Sequence, residues 1–203
     1  MIVIIDYDGG NTKSVANALK KCNIKFQVTN DHKLIKSAKK IILPGVANFS
    51  YCINKLKEKN IDQLLYEEVI QKKKPLLGIC SGMQILATKS EEGNSQGLNF
   101  IAGKVIRLIQ KKTNPVPHMG WNKIDFVQNC DINTGIKNLT RFYFCHSYHF
   151  VPDDISNVLM KVNYGNKICC GIKKGNIYGI QFHPEKSQKF GLLIFKNFSE
   201  NCN

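Results

Sequence analysis

Two short stretches of this chain hold residues whose types and spacing could do covalent chemistry. The first is Pro75-Leu76-Leu77-Gly78-Ile79-Cys80-Ser81-Gly82-Met83-Gln84, in which one cysteine sits between two glycines. The apolar run over 76–79 reads as a buried strand, and a helical pattern follows Cys80 at once. Strand, tight turn, helix is the order of a nucleophile elbow, with a thiol where G-x-S-x-G hydrolases carry a hydroxyl. Glycine on both sides has a steric reason, because the turn is sharp and strand and helix pass close to each other. A helix N-terminus favours thiolate, the attacking form. A buried structural thiol is the plainer use of such a turn.

The second stretch is Gly179-Ile180-Gln181-Phe182-His183-Pro184-Glu185. Strand alternation sets Gln181 and His183 on one face, opposite Ile180 and Phe182. Extended backbone through Pro184 would then place Glu185 on the side of His183. A carboxylate orienting an imidazole that faces a thiol is the Cys–His–acid arrangement of acyl transfer. His-Pro-Glu alone could equally end a strand in a turn; beside a cysteine elbow, the chemical reading is the stronger one.

These residues need a scaffold, and the hydropathy pattern supplies it. Strands are expected over 2–5, 26–29, 41–43 and 76–79. Helices are expected from Asn11 or Thr12 to about Cys22, after an Asp31 cap, and along Ile61, Leu64, Leu65, Val69 and Ile70. Such alternation means right-handed crossovers and a parallel sheet. Loops 6–11, 44–48 and 78–82 then fall at the C-terminal strand ends, where these sheets place their sites. Gly9-Gly10 is no dinucleotide fingerprint, since G-x-G-x-x-G is absent.

From Gly103 the rhythm changes to strands over 105–109, 142–148, 158–162, 168–172 and 177–182, with a last helix over 190–198. Antiparallel strands added to the parallel core fit best. Between the first two lies a proline-rich stretch, Pro115 to Asn122, read as an irregular loop that exposes the only tryptophan, Trp121. The fold class expected is α/β: a parallel-core sheet flanked by helices with added antiparallel strands, one domain over 1–203.

The bulk numbers narrow the function classes. The net charge of +14 invites a nucleic-acid reading, but Arg107 and Arg141 are the only arginines and the lysines are scattered over polar helix faces. Readers of phosphate and bases favour arginine forks in a focused patch. A solvated surface, or attraction of an acidic or phosphorylated partner, explains the charge better than nucleic acid. Eight cysteines without C-x-x-C spacing read as reduced thiols rather than disulfides or a metal cage. No export signal and no apolar stretch of membrane-spanning length is apparent, so the cytoplasm is the expected compartment, with no membrane partner.

Gly78-Ile79-Cys80-Ser81-Gly82-Met83-Gln84 together with Gln181-Phe182-His183-Pro184-Glu185-Lys186-Ser187 resembles the class I (triad) glutamine amidotransferases. Within them the chain is similar to the glutaminase subunits of imidazole glycerol phosphate synthase. The likeness is carried by Asp6-Tyr7…Gly10-Asn11…Ser14-Val15, Pro44-Gly45-Val46, Ser90-Glu91-Glu92-Gly93, Pro117 to Asn122 and His146-Ser147-Tyr148.

The resemblance implies a Cys80–His183–Glu185 triad acting on glutamine, with no cofactor and no metal. It implies an oxyanion held by backbone N–H groups of Ser81 and of the Gly45-Val46 turn, and substrate held by Gln84, Glu92, Ser147 and Tyr148. It also implies ammonia passed, in a heterodimer, to a (βα)₈-barrel cyclase. That cyclase makes imidazole glycerol phosphate, with an AICAR by-product, in histidine biosynthesis, and Trp121 and Lys186 would face it. Asp8 and Ala47 stand where that family usually has glycine, and Ser81 where it has leucine or similar. These departures leave room for a paralogue that supplies ammonia to a sugar amidotransferase in surface-glycan synthesis. A non-catalytic scaffold on the same fold is the remaining alternative.

Overall fold

The structure, a computed structural model, describes residues 1–202. The chain begins with alternating strands and helices: β1 (Ile2–Ile5), α1 (Thr12–Lys21), β2 (Phe26–Thr29), α2 (His32–Ser37), β3 (Lys40–Gly45), α3 (Phe49–Glu58), α4 (Ile61–Leu65), β4 (Leu76–Cys80) and α5 (Ser81–Gln84). The nine strands of the strand-rich remainder then follow, with two-residue β5 (Lys89–Ser90) and β6 (Ser95–Gln96) ahead of β7 (Gly103–Arg107), β8 (His118–Phe126), β9 (Arg141–His146) and β10 (Tyr148–Pro152). After them come β11 (Val158–Tyr164), β12 (Asn166–Lys174), β13 (Ile177–Ile180) and the closing helix α6 (Gln188–Glu200).

Nine strands form the main sheet, in the order β2-β1-β3-β4-β13-β12-β11-β8-β9. The first five pair in parallel, and every pair from β13 onward is antiparallel. Both faces of the parallel half are covered, which explains its uninterrupted apolar runs. Ile2 and Ile4 join the core under α1 and α6, while Val3 and Ile5 join the core on the opposite face, with α3 and α4. Helix starts follow side-chain caps: Asn11 Oδ1 accepts from the Ser14 N–H at 3.1 Å, and Asp31 Oδ1 from the Lys33 N–H at 2.7 Å.

Several expectations need correction. The strand read at 105–109 is β7, and it does not extend the main sheet. A second sheet, β10-β7-β5-β6, takes it. The reason is a break at Ser147: the run over 142–148 is two strands, with β9 paired to β8 and β10 paired to β7.

The stretch holding Trp121 is strand β8 from His118 onward, not a loop. The helix read from Ile61 to Ile70 becomes a π-helical turn from Tyr66 to Gln71. Helix α3 went unread although Phe49, Cys52, Ile53 and Leu56 bury one face and Asn48 caps it. Finally, the helix after Cys80 is a single turn. Past Gln84 the carbonyls of Ile85, Leu86 and Ala87 accept N–H groups of Leu98, Phe100 and Asn99 at 2.8–3.0 Å, so the chain leaves helical pairing for a neighbouring segment.

Candidate active site

The elbow is built by exclusion of side chains. Cys80 holds φ 55°, ψ −114°, a conformation that L-residues rarely adopt and that the surroundings must enforce. A Cβ on Gly82 would run into the Leu43 carbonyl, and one on Gly78 would lie 2.6 Å from the Gly82 carbonyl oxygen. Only glycine at both positions lets α5 sit against β3 and β4. Cys80 ends up 4% exposed, in the lining of a cavity.

His183 reaches that cavity from beyond the end of β13. Its backbone is clamped on both sides, by the Gln181 N–H to the Cys170 carbonyl at 2.9 Å and the His183 N–H to the Tyr143 carbonyl at 2.8 Å. The extended backbone expected through Pro184 does not form. Pro184–Lys186 forms a 3₁₀ turn, and that turn brings Glu185 back onto the imidazole. His183 Nδ1 and Glu185 Oε1 are 2.8 Å apart, which leaves Nε2 as the nitrogen available to a thiol or substrate. Burial disfavours the imidazolium, but hydrogen bonds to Cys80 and Glu185, and their charges, outweigh it and push His183 up to about 10. Ser187, given no role in the sequence reading, closes the turn: its hydroxyl donates to the His183 carbonyl at 2.6 Å and accepts from the Tyr143 N–H at 3.0 Å.

A cavity of about 380 Å³ brings together Cys80, Ser81, Gln84, Glu92, Ser147, Tyr148, His183, Val46 and Lys186, from segments far apart in sequence. Cys145, His146, Asn48 and Pro117 also line it, although no local pattern marks them for chemistry. Glu92 Oε2 accepts the Phe49 N–H at 2.8 Å, which fixes its carboxylate at the start of α3. Gln84 donates from Nε2 to the Tyr148 carbonyl at 2.8 Å and to Gln181 Oε1 at 3.0 Å. Trp121 lies outside the cavity. It is 45% exposed, opposite Tyr143 in the β8–β9 pairing, with ring centroids 6.1 Å apart. Lys186 Nζ sits 5.6 Å from the centre of the same Tyr143 ring, so the two residues expected at a partner face share one neighbour.

The turn after β3 holds its N–H groups elsewhere. The Val46 N–H donates to the Gly9 carbonyl at 2.9 Å, and the Ala47 N–H to the same oxygen at 3.3 Å. The Tyr7 hydroxyl donates to the Pro44 carbonyl at 2.7 Å, so loop 6–11 grips this turn from below. Asp8, where glycine was expected, takes φ 69°, which Asp tolerates better than most residues, and pairs with Lys59 Nζ at 3.1 Å.

The sequence pattern of the family described as Glutamine amidotransferase class-I matches residues 3–201. "Imidazole glycerol phosphate synthase subunit HisH 2" of Methanococcus maripaludis is 43% identical over 198 residues, covering 98% of each chain. A protein of the same name from Pseudomonas aeruginosa is 42% identical over 200 residues, covering 98% of this chain and 99% of its own. Among solved structures, a glutamine amidotransferase crystal structure superposes with a TM-score of 0.77 at 17% identity, over 98% of this chain and 97% of its own, a likeness of fold. No helix among the described residues is long and apolar enough to cross a membrane. The chain therefore belongs to the class I glutamine amidotransferases and, within them, to the glutaminase subunits of imidazole glycerol phosphate synthase.

Proposed function

We propose that residues 1–203 act as one amidotransferase domain that hydrolyses glutamine to glutamate and ammonia through Cys80, His183 and Glu185. The observation that carries this reading is the convergence of an elbow cysteine and a carboxylate-bound histidine on one cavity. His183 Nε2 takes the proton of the Cys80 thiol, and the thiolate attacks the side-chain amide carbon of glutamine. The carbonyl electrons move onto oxygen, and their return expels ammonia, which leaves with a proton from His183 Nε2. Water then gives a proton to His183 and attacks the thioester carbon. The carbon–sulfur bond breaks, and glutamate is released.

The N–H of Ser81, first residue of α5, is one oxyanion donor; the Gly45-Val46 turn supplies the second. Glu92 faces the α-ammonium of glutamine, while Gln84, Ser147 and Tyr148 hold the rest of the substrate. Ammonia passes to a (βα)₈-barrel cyclase bound as a heterodimer over Trp121 and Lys186, and the product enters histidine biosynthesis. The relatives' names favour this acceptor over a sugar amidotransferase. The cytoplasm is the proposed compartment, in keeping with eight free thiols.

The resting turn implies gating. While Gly9 holds the Val46 N–H, the second oxyanion donor points away from the carbonyl it must stabilise. The decisive experiment is steady-state glutamate release by the Cys80→Ser protein, with thermal unfolding as the control for folding. Release should drop at least about 10⁴-fold with Tm unchanged; turnover near the parent rate would overturn the assignment.

A further inference from the structure

Gln181 lies beside the proposed nucleophile and is fully buried. Its Nε2 is 3.6 Å from Cys80 Sγ. Amide orientation is an assignment in general, but here the surrounding carbonyls force it. The Tyr148 carbonyl can only accept, so the Gln84 atom 2.8 Å from it must be the NH₂ group. That NH₂ also lies 3.0 Å from Gln181, which must therefore turn its oxygen to Gln84 and its own NH₂ to the sulfur.

The Tyr148 carbonyl also orients the histidines on its other side. His146 Nδ1, 2.8 Å from that oxygen, carries the hydrogen, so His146 Nε2 accepts from His118 Nδ1 at 3.0 Å. His118 Nε2 then accepts from Asn122 Nδ2, whose orientation is fixed by donation to the Asn163 carbonyl at 3.1 Å. Burial holds both imidazoles neutral, His118 at about 4 and His146 at about 3, so the chain keeps one direction. Each link leaves a single arrangement for the next.

We propose that Gln181 is a catalytic residue of this glutaminase, a fixed donor that stabilises the Cys80 sulfur when it departs from the thioester as thiolate, and that Gln84, held by the Tyr148 carbonyl, is the positioning residue that aims it. The inference rests on Cys80 being the nucleophile. When water adds to the thioester and the tetrahedral intermediate collapses, the electron pair of the carbon–sulfur bond goes to sulfur. At that moment the Gln181 N–H meets a full negative charge. While the thioester stands, the sulfur is neutral and the bond is weak. The donor is therefore needed most in deacylation.

The test is the nearly isosteric Gln181→Met variant of the full chain, assayed alone and with its synthase partner, beside Cys80→Ser. Losing a hydrogen bond to a charged group should lower kcat roughly 10- to 100-fold. KM for glutamine should fall with it, because acylation suffers less than deacylation, and acid-quenched protein should carry a glutamyl adduct on Cys80. A raised KM at parental kcat would make Gln181 a substrate contact and overturn the proposal, as would parental kcat or a lowered kcat without adduct. An active Cys80→Ser would overturn both this inference and the reading beneath it, whereas an inactive Cys80→Ser beside a fully active Gln181→Met overturns this inference alone. Should Gln181→Met not fold, the parent protein still decides. The Gln181 side-chain ¹⁵N–¹H signals should shift when iodoacetamide caps Cys80, and unmoved signals would refute the contact.

Discussion

The two sides of the cavity are held in opposite ways. On one side, the Cys80 elbow is locked by glycines that have no room for a Cβ, and His183 is clamped by backbone bonds to Cys170 and Tyr143. On the other, the turn at 45–47 is held by two N–H groups that share the single Gly9 carbonyl and, just before it, by the Tyr7 hydroxyl on the Pro44 carbonyl. A shared acceptor is cheaper to abandon than a set of independent bonds, since both are lost and regained together. On the proposed reading, nucleophile and base are preassembled and the stabilisation of the oxyanion is left adjustable. A glutaminase of that design can wait for its partner without dismantling the proposed triad.

The sharpest way to break this comparison is to attack the fixed side. His183→Ala should cost about as much as loss of the nucleophile, on the order of 10⁴ or more in kcat. Glu185→Gln should be milder by about one to two orders of magnitude, because an orienting group contributes less than the base it orients. Glutamate release by purified variants measures both, and a Glu185→Gln defect as large as that of His183→Ala would mean that the carboxylate does more than orient.

The movable side is tested by the partner. If docking of the synthase subunit and its acceptor frees the Val46 N–H from Gly9, the gain is one oxyanion donor, worth roughly 10²–10³ in rate. Two states can be shifted only by a ligand that prefers one of them. Equal glutamate release with and without the partner would therefore rule the gate out. Alkylation of Cys80 by iodoacetamide, mapped by mass, should be fast in both conditions, since the elbow does not wait. Cys169 and Cys170 should lag, because burial pushes the Cys169 thiol up to about 12 and that of Cys170 well above its ordinary value.

Much of this architecture was legible in the sequence, and the exceptions share a cause. The elbow, the caps at Asn11 and Asp31 and the core strands depend on local chemistry, which a single chain displays. What local pattern could not show was which segment captures which. Past Gln84 a helical pattern lost to carbonyls that pair with 97–101, and the break at Ser147 sent β7 and β10 to a second sheet. Glu185 reaches His183 by a 3₁₀ turn where alternation had suggested a strand; the contact was foreseen for the wrong backbone reason. Gln181 and Ser187 were visible as letters of a motif, but their roles exist only through partners distant in sequence. The role of Asp6 to Asn11 is likewise spatial: Gly9 matters because its carbonyl happens to face Val46.

A smaller effect sharpens the contrast through pH. Burial, first of all, lowers His118 to about 4, His146 to about 3 and His149 as well, below the ordinary value near 6.5. A depressed folded value means that the unfolded chain binds the protons more readily. The stability these residues confer is then complete above about 6.5 and lost as pH falls toward 3. Thermal unfolding between pH 7 and 4 should show a steady fall in Tm, and His118→Phe, which keeps the stack on Phe144 and Tyr164, should make that fall shallower. An equally steep fall would place the acid sensitivity elsewhere.

The smallest expected effect is also the most direct probe of the movable turn. Ala47 has an ordinary negative φ in the resting turn, so its Cβ costs nothing there. Replacing alanine by glycine where alanine already fits destabilises a conformation by about 0.4–1 kcal/mol, chiefly through added backbone freedom, and relieves any alternative that needs positive φ. If the resting turn competes with a flipped one, Ala47→Gly should shift that balance by a factor of about two to five. Partner-stimulated glutamate release should rise by that factor, while alkylation of Cys80 stays at the parental rate, because the elbow is held by different bonds. A matching change in both rates would show that turn and elbow move as one body, and the division between a fixed and a movable side would be lost. Stimulation unchanged would mean instead that the peptide between Gly45 and Val46 flips without help from the residue after it, leaving Ala47 a neutral replacement for the family's glycine.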